Sequence, residues 1–168
     1  MNILQEMVFI SEIVLQSKIA QRAAERLEAT HTNFDQVEVW CSIQSILVAA
    51  GNVSKILWPI KKEHKMRGEK LRQLLKVESD SILSDRKFRN YFEHYDERIE
   101  DWFKNSPSAV YRDVAMNPSF TGFMSSSVNR GYNSFNNTLV FRGETLDLNA
   151  ILNVLEGVLE KCKGYGLT

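Results

Sequence analysis

Along most of this chain the hydrophobic residues recur at three- and four-residue intervals, the spacing of one face of an α-helix. From about Asn2 to Ala29 the positions Leu4, Met7, Val8, Val14, Leu15, Ile19, Ala23 and Leu27 gather near one side and predict a first helix. Thr30-His31-Thr32-Asn33 breaks it, with Thr32 or Asn33 as the N-cap of a second helix. Phe34 to Trp58 carries only Asp35, Glu38 and Lys55 as charges and is apolar around nearly its whole circumference, which predicts the central helix of a bundle. Pro59 ends it. A short helix is predicted within Lys61 to Lys76, its thin apolar side made by Met66, Leu71, Leu74 and Leu75. A longer one runs from about Ser81 to Asn105, capped by Ser79, Ser81 or Ser84 and closed by Ser106-Pro107. Its apolar stripe is Phe88, Tyr91, Phe92, Tyr95, Ile99, Trp102 and Phe103.

The next forty residues break the helical habit. Ala109 to Met116 reads as a short strand, and Pro118 to Asn137, rich in Ser, Asn and Gly, reads as loop. Thr138-Leu139-Val140-Phe141, Arg142-Gly143 and Glu144-Thr145-Leu146 predict a small hairpin with a tight turn. Phe120, Phe123, Tyr132 and Phe135 are expected to pin this segment to the helices. Asp147 or Asn149 then caps a last helix with the stripe Leu148, Ile151, Leu152, Leu155, Val158, Leu159 and Cys162, and Gly164 ends it. The expected fold class is all-α: a helical bundle of four main helices plus one short helix, with a small β-hairpin-like insertion before the last helix. A single domain over residues 1–168 is expected.

At 168 residues such a domain buries a core without cross-links. Lys and Arg number 21 and Asp and Glu number 21, so the molecule as a whole exerts no net pull on nucleic acid or membrane. Any such attraction is local, and it concentrates in Lys61, Lys62, Lys65, Arg67, Lys70, Arg72 and Lys76, set against Glu63 and Glu69. This segment reads either as a solvated helix face or as a phosphate-attracting ridge in which Lys65, Arg67, Lys70 and Arg72 bind RNA. Cys41 and Cys162 lie far apart on apolar helix faces and read as buried free thiols of a reducing cytosol. The stretch from Met1 to Ala20 is interrupted by Glu6, Glu12 and Lys18 and has no basic leader, so neither a signal peptide nor a membrane span is expected. The expected location is cytoplasmic. His31, His64 and His94 fall on separate elements without a ligand-spaced Cys or carboxylate, and no Gly-rich phosphate loop precedes a helix. Neither a metal nor a cofactor is expected.

The chemistry concentrates in Arg89-Asn90-Tyr91-Phe92-Glu93-His94, in the middle of the predicted Ser81–Asn105 helix. At 3.6 residues per turn Arg89 and His94 stand about 140° apart around the axis, on opposite shoulders of the polar face. One small ligand does not easily meet both on one helix, so a second copy of the helix completes any shared site.

The Arg-x4-His spacing, with a polar residue directly after the Arg and the run Glu-His-Tyr-Asp-Glu-Arg around the His, resembles the HEPN superfamily. The resemblance covers the helical portion well and residues 106–145 poorly. It implies a small helical bundle that forms a homodimer with two Arg/His motifs facing each other. It further implies a metal-independent ribonuclease of toxin–antitoxin or defence systems, held in check by an antitoxin, commonly nucleotidyltransferase-like. The matching positions make Arg89 and His94 catalytic, with Asn90 orienting the His or a phosphate oxygen. Other members of the superfamily are inactive interaction modules.

A histidine exchanges protons near neutral pH, so in this reading His94 takes the proton of a ribose 2′-hydroxyl. That oxygen attacks the adjacent phosphorus and leaves a 2′,3′-cyclic phosphate and a 5′-hydroxyl, a route open only to RNA. Arg89 stabilises charge on the phosphoryl oxygens, and Glu93 is a supporting candidate that favours protonated His94. Two readings compete with it. In the plainest, Asp85, Arg89 and Glu93 form helical ion pairs four residues apart, worth only about 0.2–0.5 kcal/mol each, and His94 is a surface residue. In the other, the protein is a non-catalytic helical dimer that binds RNA or a protein partner.

Overall fold

The computed structural model describes residues 2–33, 35–105, 111–117 and 128–165, without the side chains of Phe88 and Arg89. Among the described residues the order of elements is α1 Ile3–Ala29, α2 Gln36–Leu57, α3 Lys65–Leu74, α4 Lys87–Glu93, α5 Tyr95–Asn105, β1 Ala115–Met116, β2 Arg130–Asn133, β3 Thr138–Phe141, β4 Glu144–Asp147 and α6 Leu148–Cys162. The chain gathers into two compact units, Met1–Arg86 with Ala150–Thr168, and Lys87–Asn149.

The first unit is helical. Asn2 and Gln5 cap α1 reciprocally, each side chain accepting the other's backbone N–H at 2.9 and 3.1 Å. Asp35, rather than Thr32 or Asn33, caps α2 by accepting the N–H groups of Val37 and Glu38. The two helices pack as a hairpin. Ile10, Ile13, Ala20, Ala23 and Leu27 of α1 are buried, as are Val39, Ile43, Ile46, Ala49, Val53 and Leu57 of α2. The buried face of α1 is rotated from the expected one, because Leu4, Met7, Val8, Leu15 and Ile19 remain exposed. Ala20, Ala23 and Ser17 lie at the contact instead, where small side chains let two helices approach closely. The last helix buries Leu148, Ile151, Leu155, Val158, Leu159 and Cys162 along its expected stripe.

The second unit overturns the all-α expectation. Besides α4 and α5 it holds a four-stranded mixed sheet in the order β1-β2-β3-β4. The β1–β2 pair is parallel and the other two pairs are antiparallel. The β3–β4 hairpin lies where the alternation places it, and Arg142 and Gly143 turn it with φ of 47° and 85°. Positive φ at both turn positions matches the right-handed twist of the flanking strands.

Strand β2 falls inside the stretch expected to be loop. Arg130-Gly131-Tyr132-Asn133 shows no apolar alternation, yet Gly131 and Tyr132 are buried and the backbone pairs on both sides. Of the expected Ala109–Met116 strand only Ala115–Met116 is strand, with residues 109 and 110 outside the description. Ser106-Pro107, Phe120 and Phe123 also lie outside it. The predicted Ser81–Asn105 helix is a 3-10 turn at Ile82–Ser84 and then α4 and α5, which break at His94. With six α-helices and a sheet among the described residues, the fold is mixed rather than a bundle of four main helices.

Candidate functional site

The motif residues ride on α4 and on its junction with α5. Helical hydrogen bonding continues through the break: the His94 N–H donates to the Asn90 carbonyl at 3.0 Å, and the Arg98 N–H donates to the His94 carbonyl at 3.2 Å. Asn90 is half-buried and Glu93 exposed. The His94 side chain is 54% exposed, and its Nδ1 lies 3.5 Å from a carboxylate oxygen of Glu97. Asn90 and His94, four residues apart, share a face, whereas the description of Arg89 stops at its backbone. Glu97 belongs to this face as well. It stands one turn after His94, the side that the Arg-x4-His pattern does not cover.

What holds the motif helix is the sheet of its own unit. The Tyr91 ring stacks on Phe141 of β3 with centroids 4.3 Å apart, and its hydroxyl donates to Glu144 of β4 at 3.1 Å. Lys87 pairs with the same carboxylate. The lysine hydrogen bond holds the Glu144 carboxyl below its ordinary range, and the same bond raises the Lys87 ammonium.

A second set of contacts was not visible in the sequence. Arg130 of β2 grips Asp113 with Nε and Nη2 at 2.9 and 2.5 Å, in a pair whose side chains are 14% and 13% exposed. Burial alone would raise the Asp113 carboxyl, but the arginine bonds outweigh it and hold the group low. Tyr111 donates to Asp113 at 3.0 Å, Asn129 donates to the Tyr111 oxygen at 3.2 Å, and Arg142 donates to Asn129 at 3.0 Å and to the Arg98 carbonyl. The Arg130 guanidinium carbon also sits 6.0 Å from the Phe92 ring centroid and 5.8 Å from that of Tyr95. The residues of this network come from segments well apart in the chain. In the sequence Asp113 falls in the expected Ala109–Met116 strand and Arg130 in the expected loop, and nothing there pairs them.

The basic segment lies in the first unit, and three of its seven cations, Arg67, Lys70 and Arg72, have internal partners. Arg67 donates to the carbonyls of Lys55 and Ile56 at 3.3 and 3.4 Å and lies over the Phe9 ring at 4.6 Å. Arg72 donates to the Leu57 carbonyl, and Arg86 donates to that of Trp58. The last four carbonyls of an α-helix have no partner within the helix, and here three arginines serve those at the end of α2. Partial burial lowers the Arg67 guanidinium. Lys70 pairs with Glu6, and Lys65 is exposed.

An open cleft of about 640 Å³ beside this segment is lined by residues that include Gln5, Phe9, His64, Met66, Arg67 and Lys70. Cys41 is exposed, contrary to expectation, and Cys162 is buried, with its thiol pushed up to about 11 by that burial. Among the described residues no three His, Cys, Asp or Glu side chains gather as a metal ion requires, and no single helix is long and apolar enough to cross a membrane. No protein-family model, curated protein or solved structure matches the chain.

Proposed function

We propose that this protein is a metal-independent endoribonuclease of HEPN type, acting as a cytoplasmic homodimer in a toxin–antitoxin or defence setting. The observation that carries the reading is the solvent-open His94 imidazole at the α4–α5 break, four residues beyond Asn90 and five beyond Arg89. His94 takes the 2′-hydroxyl proton, and the 2′-oxygen forms a bond to the neighbouring phosphorus. The bond from phosphorus to the 5′-oxygen breaks, and the departing oxygen takes a proton from water. A 2′,3′-cyclic phosphate and a 5′-hydroxyl remain. Arg89 neutralises charge on the phosphoryl oxygens, with the two motifs of the dimer completing one cleft, and Asn90 orients the phosphate. Glu93 and Glu97 are the carboxylates that support the imidazole, Glu97 at 3.5 Å from its Nδ1. An antitoxin, nucleotidyltransferase-like by the family resemblance, restrains the activity.

Purified protein is expected to cut single-stranded RNA or tRNA in excess EDTA and to leave cyclic phosphate ends, with Arg89→Ala and His94→Ala each abolishing cutting without loss of stability. Cutting that persists in both variants moves the site elsewhere. A wild type that cuts no RNA favours the second reading, a non-catalytic dimer that binds RNA or a protein. The engagement of Arg67, Lys70 and Arg72 within the first unit supports the protein-binding form of that alternative, since it leaves fewer cations for phosphate.

A further inference from the structure

The electrostatics around His94 are unlike those of a phosphate-binding surface. Helix α5 carries Asp96, Glu97, Glu100 and Asp101 against Arg98 and Lys104, and four of these carboxylates line one shallow depression of about 430 Å³. A polyanion that reaches His94 along this helix meets net negative charge. Its affinity there has to come from contacts that charge does not govern.

One such contact is available. Tyr95 directly follows His94 and is 51% exposed. The Arg130 guanidinium carbon lies 5.8 Å from its ring centroid, and that guanidinium is itself fixed by the two-pronged bond to Asp113. About half of the side chain is thus covered and the rest open to solvent, an aromatic surface with a charged support beside it. Phe103, equally exposed, is stacked on Tyr111 at 5.5 Å, and Phe135 stands on the β2–β3 loop.

We infer that Tyr95 is the residue on which a nucleobase of single-stranded RNA stacks, beside the linkage on which His94 acts; the inference rests on the ribonuclease reading. Every base has a π-face, so the platform is tolerant of sequence. Tyr95 contributes binding and position, not proton transfer.

The test uses the full chain with an RNA oligonucleotide of mixed sequence in two forms. A 2′-O-methyl form reports binding by fluorescence anisotropy, and the 2′-hydroxyl form reports steady-state cleavage in EDTA. Tyr95→Ala is expected to weaken binding about tenfold and to raise KM in step. Its kcat should stay within about twofold, while Tyr95→Phe matches the wild type and Tyr95→Trp binds as tightly or more so. A Tyr95→Ala variant that binds and cuts like the wild type, in a protein whose His94→Ala variant is dead, overturns the stacking inference and leaves the ribonuclease reading standing. A fall in kcat with KM unchanged also overturns it, since that is the mark of a merely structural role at the helix break. If the wild type binds the oligonucleotide through Tyr95 but never cuts, the ribonuclease reading falls and the platform remains. A wild type that binds neither form overturns both.

Discussion

The tightest constraint on a single residue is at Gly68. A Cβ there would stand 2.5 Å from Cδ of Pro59 and 2.6 Å from the Leu57 carbonyl oxygen, so α3 approaches the end of α2 as closely as backbone allows. Both obstacles are rigid, one a ring and the other main chain. Gly68→Ala is therefore expected to cost about 1–3 kcal/mol, the range for overpacking a close contact. In a chain of this size that lowers Tm by about 3–10 °C in a thermal melt. Gly157 is the control. It lies exposed in the middle of α6 with nothing within 4 Å of an added Cβ, so Gly157→Ala is expected to stabilise by about 0.5–1 kcal/mol through helix propensity alone. A Gly68→Ala variant that melts with the wild type would show that the α2–α3 approach is looser than these distances state.

Among the elements, the end of α2 explains what a concentration of arginine does in a neutral chain. Pro59 prevents the helix from continuing, Trp58 turns out of it, and the carbonyls left at its C-terminus carry the negative end of the helix dipole. Arg67 and Arg72 arrive there from α3, and Arg86 from the residue just before α4. Arg72→Met keeps the aliphatic stem and its packing near Trp58 but removes the charged donor, with an expected loss of about 1–2 kcal/mol. Lys65→Gln, on an exposed neighbour, is expected to stay within about 0.5 kcal/mol, and urea unfolding of the two variants checks the contrast. Equal effects would remove the capping role.

The same elements show what the sequence alone disclosed. The helices α1, α2 and α6 were legible, since a 3.6-residue period over fifteen or more residues has few competing explanations. The β3–β4 hairpin was legible because Arg142-Gly143 separates two β-branched and aromatic runs. Strand β2 was not, because Arg130 and Asn133 look like loop residues until Asp113 is seen to receive one of them. Charge composition marked the basic segment but not its use, because a cation that caps a helix and one that faces phosphate look alike in one dimension. At the motif, the spacing of Arg89 and His94 was legible. The exposure of Tyr95 and its arginine support were not, since both depend on a strand paired more than thirty residues later.

For the molecule as a whole, the balance of charges becomes a measurable statement about binding. Each cation that displaces a counterion from single-stranded RNA contributes about −0.7 to the slope of log affinity against log salt. Were Lys65, Arg67, Lys70 and Arg72 all in contact with phosphate, the slope would be about −2.8 from these four alone. Yet Arg67 and Arg72 already serve carbonyls of α2, Lys70 holds Glu6, and the surface after His94 is acidic. Releasing these side chains would forfeit their internal bonds, so RNA gains little by recruiting them. Binding carried by a stacked base and by one or two cations near the motif is expected to give a slope of about −1, measured by anisotropy of the 2′-O-methyl oligonucleotide between low and moderate KCl. A slope as steep as about −2.8 that flattens in Lys65→Gln would return the basic segment to the RNA surface and reduce Tyr95 to an accessory. A shallow slope that survives Lys65→Gln and vanishes with Tyr95→Ala would place the recognition of RNA on the motif helix, in a protein whose Arg67 and Arg72 are committed to its fold.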